Sequence, residues 1–191
     1  MSYDVIAIGA SWGGLHALST LLGGLSTEVG AAVVVAQHRG PDSARGMLES
    51  LLQRHSERPV SEPDDKDPIE PGHVYIAPAD YHLLVENDHF ALSTDTRVQY
   101  ARPSIDVLFE SVADVYRERA IGIVLTGANA DGARGLAAIH ASGGVTIVQD
   151  PESAERRAMP DAAIEATVAD AVLPVEEIPK FLFGLCCGET R

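Results

Sequence analysis

Cysteine is scarce in this sequence of 191 residues. Its two cysteines, Cys186 and Cys187, are adjacent and close to the C-terminus, so they cannot supply the spaced framework of a secreted disulfide protein or a CxxC redox site. No positively charged leader precedes the first apolar run, and no apolar run approaches the ~18 residues of a membrane span. The sequence therefore predicts a protein of the reducing cytoplasm, with no signal peptide and no membrane insertion.

Basic residues are also few. The chain has 14 Lys and Arg against 28 Asp and Glu, a formal net charge of −14. Nucleic acids and anionic membranes attract clustered cations, so this balance argues against both as partners. With 46% hydrophobic residues the chain can bury a sizeable core, and it shows no internal repeat or low-complexity linker. Residues 1–191 are predicted to form a single domain.

Apolar runs alternate with helical patterns along the chain. The strand-like runs are Val5–Ile8, Ala32–Gln37, Ile121–Thr126 and Val145–Gln149, with a weaker one at Ala169–Leu173. The helical patterns lie near Gly14–Leu22, Ala44–His55, Ser104–Arg117, Ala133–Ala141, Ala162–Ala166 and Glu176–Leu185. The strands are apolar on both faces, which is typical of a parallel sheet covered by helices. The pattern predicts an α/β fold: a doubly wound, mostly parallel sheet flanked by helices.

One segment departs from this alternation. Short strand-like pieces lie at His73–Ala77, Tyr81–Val85 and His89–Ser93, and the turn-forming residues 86–88 join the last two. Two short strands joined in this way are typical of a hairpin. We predict an antiparallel hairpin inserted at this point.

The turn after the first strand carries the sequence GASWGG, residues 9–14. A glycine-rich turn between a strand and a helix either cradles a phosphate or holds up a nucleophilic serine. A dinucleotide fold would show GxGxxG and an acid after the second strand, whereas here the spacing is GxSxG and His38 follows the second strand. The dinucleotide alternative therefore fails. The motif by itself leaves open whether Ser11 is a nucleophile or part of a structural turn.

Other reactive side chains follow further strands of the predicted sheet. Ser11 follows the first strand, His38 follows the second, and Asp131 lies in the loop after Ile121–Thr126. The carboxyl ends of the strands in a doubly wound sheet meet at one crevice, where ligands bind. A hydroxyl nucleophile needs a base, and the base needs a third group to orient it, so these three side chains would form a catalytic triad.

Each of these residues also has a plainer interpretation. A histidine such as His38 is more often a hydrogen-bonded loop residue, and Asp131, which precedes Gly132, is more often the N-cap of the helix that follows. Their common position at strand ends favours the triad. The other histidines share no metal-ligand spacing such as HExxH, so we predict neither a metal nor a cofactor.

The order of the three residues in the chain excludes the α/β-hydrolase fold. That fold has the order serine, acid, histidine, with the serine elbow after several strands. Here the serine turn follows the first strand, and the order is serine, histidine, aspartate. A different fold would reach the same chemistry.

These residues and further motifs resemble the catalytic domain of the CheB family, the chemotaxis-type protein-glutamate methylesterases. The matches occur in the family's order and span most of the chain. They are Ile8-Gly9-Ala10-Ser11 followed by Gly13-Gly14, Gln37-His38, residues 72–78 (GHVYIAP), residues 102–109 (RPSIDVLF), Leu125-Thr126-Gly127, Asp131-Gly132 and Met159-Pro160.

The resemblance implies a serine-esterase triad carried by Ser11, His38 and Asp131. The implied reaction is hydrolysis of glutamate γ-methyl esters on the cytoplasmic domain of chemotaxis receptors and, in some members, deamidation of glutamine. Chemotaxis members commonly have threonine after the nucleophile and methionine after the Thr-Gly pair, where this chain has Trp12 and Ala128. The residue after the nucleophile supplies its backbone N–H whatever its side chain. Trp12 and Ala128 are therefore candidate oxyanion or substrate-binding residues.

Chemotaxis members usually also carry an N-terminal phosphoacceptor receiver domain, whereas this chain begins at the first catalytic strand. We expect a free-standing esterase that is active without a phosphodonor. Its expected partners are a methylated receptor and, in addition, a methyltransferase or a separate regulator. The alternative is a signalling module that binds a receptor or a methyltransferase without turnover, and the intact triad argues against it.

Overall fold

The computed structural model describes residues 3–188, and this part of the chain alternates strands with helices. The strands are β1 (Val5–Ala10), β2 (Ala32–Gln37), β3 (Val60–Ser61), β4 (Val74–Ile76), β5 (His82–Val85), β6 (Phe90–Ser93), β7 (Ala120–Val124), β8 (Val145–Gln149) and β9 (Ala171–Leu173). The α-helices are α1 (Gly14–Gly24), α2 (Met47–Gln53), α3 (Ile105–Tyr116), α4 (Ala133–Ala141), α5 (Ala158–Ala166) and α6 (Ile178–Cys187). Of the helices described, none is long and apolar enough to cross a membrane.

Seven strands form one parallel sheet in the order β3-β4-β2-β1-β7-β8-β9. Side chains alternate between its two faces along β1. Ile6 and Ile8 belong to a buried cluster with α1 and α6, whereas Val5 and Ala7 belong to a second cluster with α3, α4 and α5. The core therefore lies on both faces of the sheet, and the predicted doubly wound α/β fold is confirmed.

The hairpin is confirmed as well, since β5 and β6 pair antiparallel between residues 82 and 93. The preceding segment differs from the prediction. β4 pairs in parallel with β2 and, together with the two-residue β3, extends the main sheet. Val74 and Ile76 face one core cluster and Tyr75 faces the other. A strand of three residues is too short for its apolar pattern to separate a parallel sheet from a hairpin.

Several element ends also differ from the predicted ones. α5 begins at Ala158 rather than Ala162, because Pro160 lies in the first turn, where a backbone N–H has no helical acceptor. α2 is shorter than the predicted 44–55, and Gly46 precedes it with a left-handed φ of 77°. β1 continues to Ala10, which places the next residue at the carboxyl edge of the sheet.

Helices α3 and α4 pack closely because Gly135 has no side chain. A Cβ on Gly135 would lie 2.5 Å from the Cβ of Phe109 and 3.0 Å from the backbone oxygen of Asp106, both on α3. Such distances are shorter than van der Waals contact, so the glycine sets the separation of the two helices. This separation matters because α3 and α4 both begin beside the site described below.

We expect Gly135→Ala to lower the free energy of unfolding by about 1–3 kcal/mol, because the added methyl group overpacks the α3–α4 contact. The matched control is Gly184→Ala on α6, where an added Cβ meets nothing within 4 Å. That substitution should raise the free energy of unfolding by up to ~1 kcal/mol through helix propensity alone. Urea unfolding monitored by circular dichroism measures both changes. Equal effects of the two substitutions would contradict the close packing of α3 and α4.

Candidate active site

The serine turn connects β1 to α1. Ser11 follows the last residue of β1, and its backbone N–H donates to the carbonyl of Thr126 at 3.0 Å. Gly13 has a φ of 78°, a left-handed conformation that favours glycine. A Cβ on Gly14 would lie 2.0 Å from Oε1 of Gln37. The glycines therefore allow the tight turn and the close approach of β2, and they leave Ser11 at the carboxyl edge of the sheet.

His38 lies beside this serine. β2 ends at Gln37, and the backbone N–H of His38 continues the pairing by donating to the carbonyl of Ala10 at 3.0 Å. Nδ1 of His38 is 3.2 Å from Oγ of Ser11, and Nε2 is 2.7 Å from Oδ2 of Asp131. The structure thus brings together the three side chains that the strand-end pattern predicts as a triad.

The orientation of the imidazole fixes its hydrogen-bonding roles. A carboxylate only accepts hydrogen bonds, so Nε2 carries the proton that faces Asp131, and the lone pair of Nδ1 faces the hydroxyl of Ser11. In chymotrypsin-type triads the two nitrogens have the opposite assignment. The side chain of His38 is 13% exposed, so the imidazole is largely shielded but still in contact with solvent.

Asp131 is buried and held from several directions. Oδ1 accepts from Oγ of Ser104 at 2.9 Å and from the backbone N–H of Asp106 at 3.0 Å, and Oδ2 accepts from the backbone N–H of Ile105 at 2.7 Å. Burial alone would raise the pKa of Asp131, but the hydrogen bonds from His38 and from the two backbone N–H groups outweigh it and lower the pKa. Asp131 is therefore a carboxylate at neutral pH.

Asp106, in the first turn of α3, makes the reciprocal contact with the N-terminus of α4. Its Oδ1 accepts from the backbone N–H of Gly132 at 2.9 Å and of Gly135 at 2.8 Å. The plainer interpretation of Asp131, as the N-cap of the helix that follows it, is therefore wrong. Gly132 precedes α4, Asp106 satisfies its first N–H groups, and Asp131 satisfies those of α3 instead.

Trp12 projects from the serine turn towards solvent, with 58% of its surface exposed. Its indole N–H donates to Oε1 of Glu155 at 2.8 Å, and the guanidinium carbon of Arg156 lies 5.3 Å from the ring centroid. Its carbonyl accepts from Oγ1 of Thr126 at 2.9 Å. Within residues 3–188, the backbone N–H of Trp12 has no hydrogen-bond acceptor.

The loop that contains Ala128 passes directly against the serine. A Cβ on Gly127 would lie 3.0 Å from Cβ of Ser11 and 1.8 Å from Sδ of Met159. The backbone N–H of Gly127 donates to the carbonyl of Arg156 at 3.0 Å, and its own carbonyl accepts from the N–H of Met159 at 3.0 Å. Ala128 therefore follows a residue that is fixed beside Ser11.

Some residues of the site have no predicted role in the sequence analysis. Ser104 and Asp106 lie in the quoted stretch 102–109, and Gln37 precedes His38, but none of these motifs says what its side chain contacts. Nε2 of Gln37 donates to the carbonyls of Ser11 at 2.8 Å and His38 at 3.0 Å and ties both turns together. Glu155 and Arg156 have no signal in the sequence, because only the fold brings their loop to Trp12.

No group of three or more His, Cys, Asp or Glu side chains in residues 3–188 is arranged to hold a metal ion. The cysteines Cys186 and Cys187 are free thiols at the end of α6.

Comparison with known proteins shows the family to which the chain belongs. The model of the family described as CheB methylesterase matches residues 6–182. The chain belongs to the CheB methylesterase family. The structure of the Thermotoga maritima CheB methylesterase catalytic domain superposes with a TM-score of 0.91 at 34% identity, covering 97% of this chain and 100% of that one.

Relatives differ in length. A protein of Leptospira interrogans is 45% identical over 186 residues, which is 97% of this chain and 96% of that protein. The protein-glutamate methylesterase/protein-glutamine glutaminase 1 of Rhodospirillum rubrum is 39% identical over 185 residues, but the match covers 94% of this chain and 48% of that protein. This chain therefore corresponds to nearly the whole of one relative and about half of another.

The hydrogen bonds of Asp131 predict a dependence of stability on pH. We expect Asp131→Asn to lower the free energy of unfolding at pH 7 by ~2–3 kcal/mol, because hydrogen bonds to a charged acceptor are lost. The folded pKa of Asp131 lies below its unfolded value of about 4. The stabilisation that the Asp131 carboxylate gives the fold is therefore fully present above its unfolded pKa and is lost as the pH falls through its folded pKa. The difference in free energy of unfolding between wild type and Asp131→Asn should narrow below about pH 4.

Urea unfolding at pH 7 and at pH 3 measures this difference. The matched control is Asp114→Asn on the exposed face of α3, which should change the free energy of unfolding little at either pH. A difference between wild type and Asp131→Asn that stays constant with pH would contradict the stabilised carboxylate.

Proposed function

We propose that this protein is a serine carboxylesterase that hydrolyses glutamate γ-methyl esters on chemotaxis receptors or receptor-like proteins and releases methanol. The observation that carries the proposal is the hydrogen-bonded series from Oγ of Ser11 through His38 to the buried carboxylate of Asp131. Membership in the CheB methylesterase family supports the choice of ester. The name of the Rhodospirillum rubrum relative also supports a second activity on glutamine amides.

Acylation begins when the substrate carbonyl lies against Ser11. Oγ attacks the carbonyl carbon while Nδ1 of His38 takes the hydroxyl proton, and the negative charge of Asp131 stabilises the imidazolium through Nε2. The tetrahedral intermediate then collapses and the bond to the methoxy oxygen breaks. The proton on Nδ1 passes to that oxygen, so methanol leaves and the glutamyl group remains esterified to Ser11.

Deacylation uses the same groups in reverse. A water molecule donates a proton to Nδ1 of His38 as its oxygen attacks the acyl carbon. The second tetrahedral intermediate expels Oγ of Ser11, which recovers the proton. The products are a free glutamate side chain and the starting enzyme, so no cofactor is needed for the balance of the reaction. An amide in place of the ester would release ammonia by the same steps.

Backbone N–H groups are the proposed donors to the oxyanion. The N–H of Trp12 follows the nucleophile and has no acceptor among the described residues, and the carbonyl of the same residue is fixed by Thr126. Ala128 is the proposed second contact, because its loop is fixed against Ser11 through Gly127. Preorganised donors of this kind typically contribute a factor of about 10²–10³ in turnover each.

The proposed substrate places the protein in the cytoplasm, beside the methylated domain of a receptor. A methyltransferase or a separate regulator is a further proposed partner. A binding module without turnover is the weaker alternative. It would have no use for a serine hydroxyl, an imidazole and a buried carboxylate within hydrogen-bond distance of one another.

Ser11→Ala and His38→Ala should each lower methanol release by at least ~10³-fold, and the double variant should be little slower than either single one. Members of a triad act as a unit, so their losses do not add. The measurement is release of volatile radiolabelled methanol from methylated receptor. Ser50→Ala on α2 and His140→Ala on α4 are the controls and should retain full activity, because both side chains are exposed and, among the described residues, neither is hydrogen-bonded to the triad. Additive losses would rule out the triad.

Asp131→Asn should lower turnover by ~10⁴-fold, by analogy with the same change in a chymotrypsin-type triad. The amide can donate to Nε2 of His38 and hold the ring in the tautomer whose Nδ1 proton faces Ser11. Single-turnover methanol release at pH 7 gives the rate, and circular dichroism shows whether the fold is intact. A folded variant with a rate close to that of wild type would limit Asp131 to its role at the N-terminus of α3.

A further inference from the structure

A groove of about 450 Å³ opens beside His38, bordered by the segment that leads from the hairpin into α3. Its lining includes Arg97, Tyr100 and Arg102 together with His38. Any polypeptide whose side chain reaches Ser11 through this opening has to pass these residues. The triad does not account for them, since none of them contacts Ser11, His38 or Asp131 through a hydrogen bond.

The charge of the groove is opposite to that of the whole chain. Three arginines line it, and no Asp or Glu does so among the described residues. Arg39 is neutralised by Glu62 at 2.8 Å. Arg97 and Arg102 share one carboxylate, that of Asp80, at 3.6 and 2.7 Å. Two cations therefore face one anion, in a protein with a net charge of −14, and the side chain of Arg97 is 51% exposed.

Tyr100 lies at the tip of a strained turn in this wall. Val98 and Ala101 exchange two backbone hydrogen bonds, and the residues between them, Gln99 and Tyr100, both have left-handed φ values of 47° and 65°. Turns with both central residues left-handed normally use Asn and Gly, because a side chain there is unfavourable. Tyr100 is also 98% exposed, so burial of its ring does not offset the strain.

The turn is fixed to the site on its other side. The side-chain amide of Gln99 donates to Oδ2 of Asp106 at 3.1 Å, the carboxylate whose Oδ1 holds the first turn of α4. The turn is therefore attached to the element that also positions Asp131. A strained and exposed aromatic residue that is attached to a catalytic framework is typical of a functional contact.

We propose that the groove formed by Arg97, Tyr100 and Arg102 binds an acidic polypeptide segment that carries the esterified glutamate. Asp80 does not fully neutralise Arg97, so Arg97 pairs with a carboxylate of the bound segment. The ring of Tyr100 packs on the backbone and the aliphatic side-chain carbons of that segment. The identity of the ester rests on the proposed function, whereas the preference for an acidic segment rests on the charges of the groove. The two can be tested separately.

The first test measures binding without turnover. Ser11→Ala protein is titrated into two fluorescent peptides, each with one glutamate γ-methyl ester, flanked by glutamates in one peptide and by glutamines in the other. The acidic peptide should bind about tenfold tighter at low salt, and the preference should shrink at high salt because exposed charges are screened. Adding Arg97→Gln should reduce the preference to below about threefold, whereas Arg54→Gln, an exposed arginine outside the groove, should leave it unchanged.

Equal affinity for the two peptides, or no detectable binding of either, would overturn the proposal. So would a preference that survives Arg97→Gln. Because the readout is binding to a protein that lacks the nucleophile, these outcomes are independent of methanol release. Failure of the wild-type protein to release methanol from either peptide would instead count against the proposed function.

The second test separates a binding role of Tyr100 from a structural one. Tyr100→Asn in the same background should weaken binding of the acidic peptide at least fivefold. It should leave the melting temperature unchanged or raise it by up to ~2–4 °C, because asparagine tolerates the left-handed conformation better. Phe183→Ala on α6, which changes a partly exposed aromatic outside the groove, is the control for binding. Unchanged affinity, or a melting temperature lowered by more than about 4 °C, would overturn the role of Tyr100.

Discussion

Two buried carboxylates, Asp131 and Asp106, link the N-termini of α3 and α4 by hydrogen bonds. Asp131 accepts hydrogen bonds from the first turn of α3, and Asp106 accepts them from the first turn of α4. The first N–H groups of a helix have no hydrogen-bond acceptor within the helix and carry partial positive charge. A carboxylate at this end accepts their hydrogen bonds and balances the charge. The exchange ties the two helices together, and Gly135 lets them approach closely enough for it.

The position of the His38 imidazole follows from this arrangement. Both oxygens of Asp131 are already held by α3, so the direction in which Oδ2 meets His38 is set by helices rather than by a loop. His38 and Ser11 follow adjacent parallel strands, whose register fixes the distance between their side chains. Rigid elements therefore fix the relative positions of Ser11, His38 and Asp131.

The sequence predicts the parts of the site that depend on topology. Because Ser11 and His38 directly follow apolar strands, the rule that parallel strands share one carboxyl edge is sufficient to bring them together. This rule does not predict that Asp106 accepts hydrogen bonds from α4 or that Asp131 accepts them from α3, because both side chains bind backbone N–H groups that are distant in the chain. Helical periodicity likewise predicts α4 correctly but misplaces the start of α5, where Pro160 interrupts the pattern without ending the helix.

The most direct test of the triad is covalent labelling with a fluorophosphonate, which reacts with a serine that an adjacent base activates. The account predicts one adduct, located on Ser11 by peptide mass spectrometry, formed rapidly in the wild-type protein and at least ~10³-fold more slowly in His38→Ala. An adduct on another residue, or equal labelling rates in the two proteins, would contradict it.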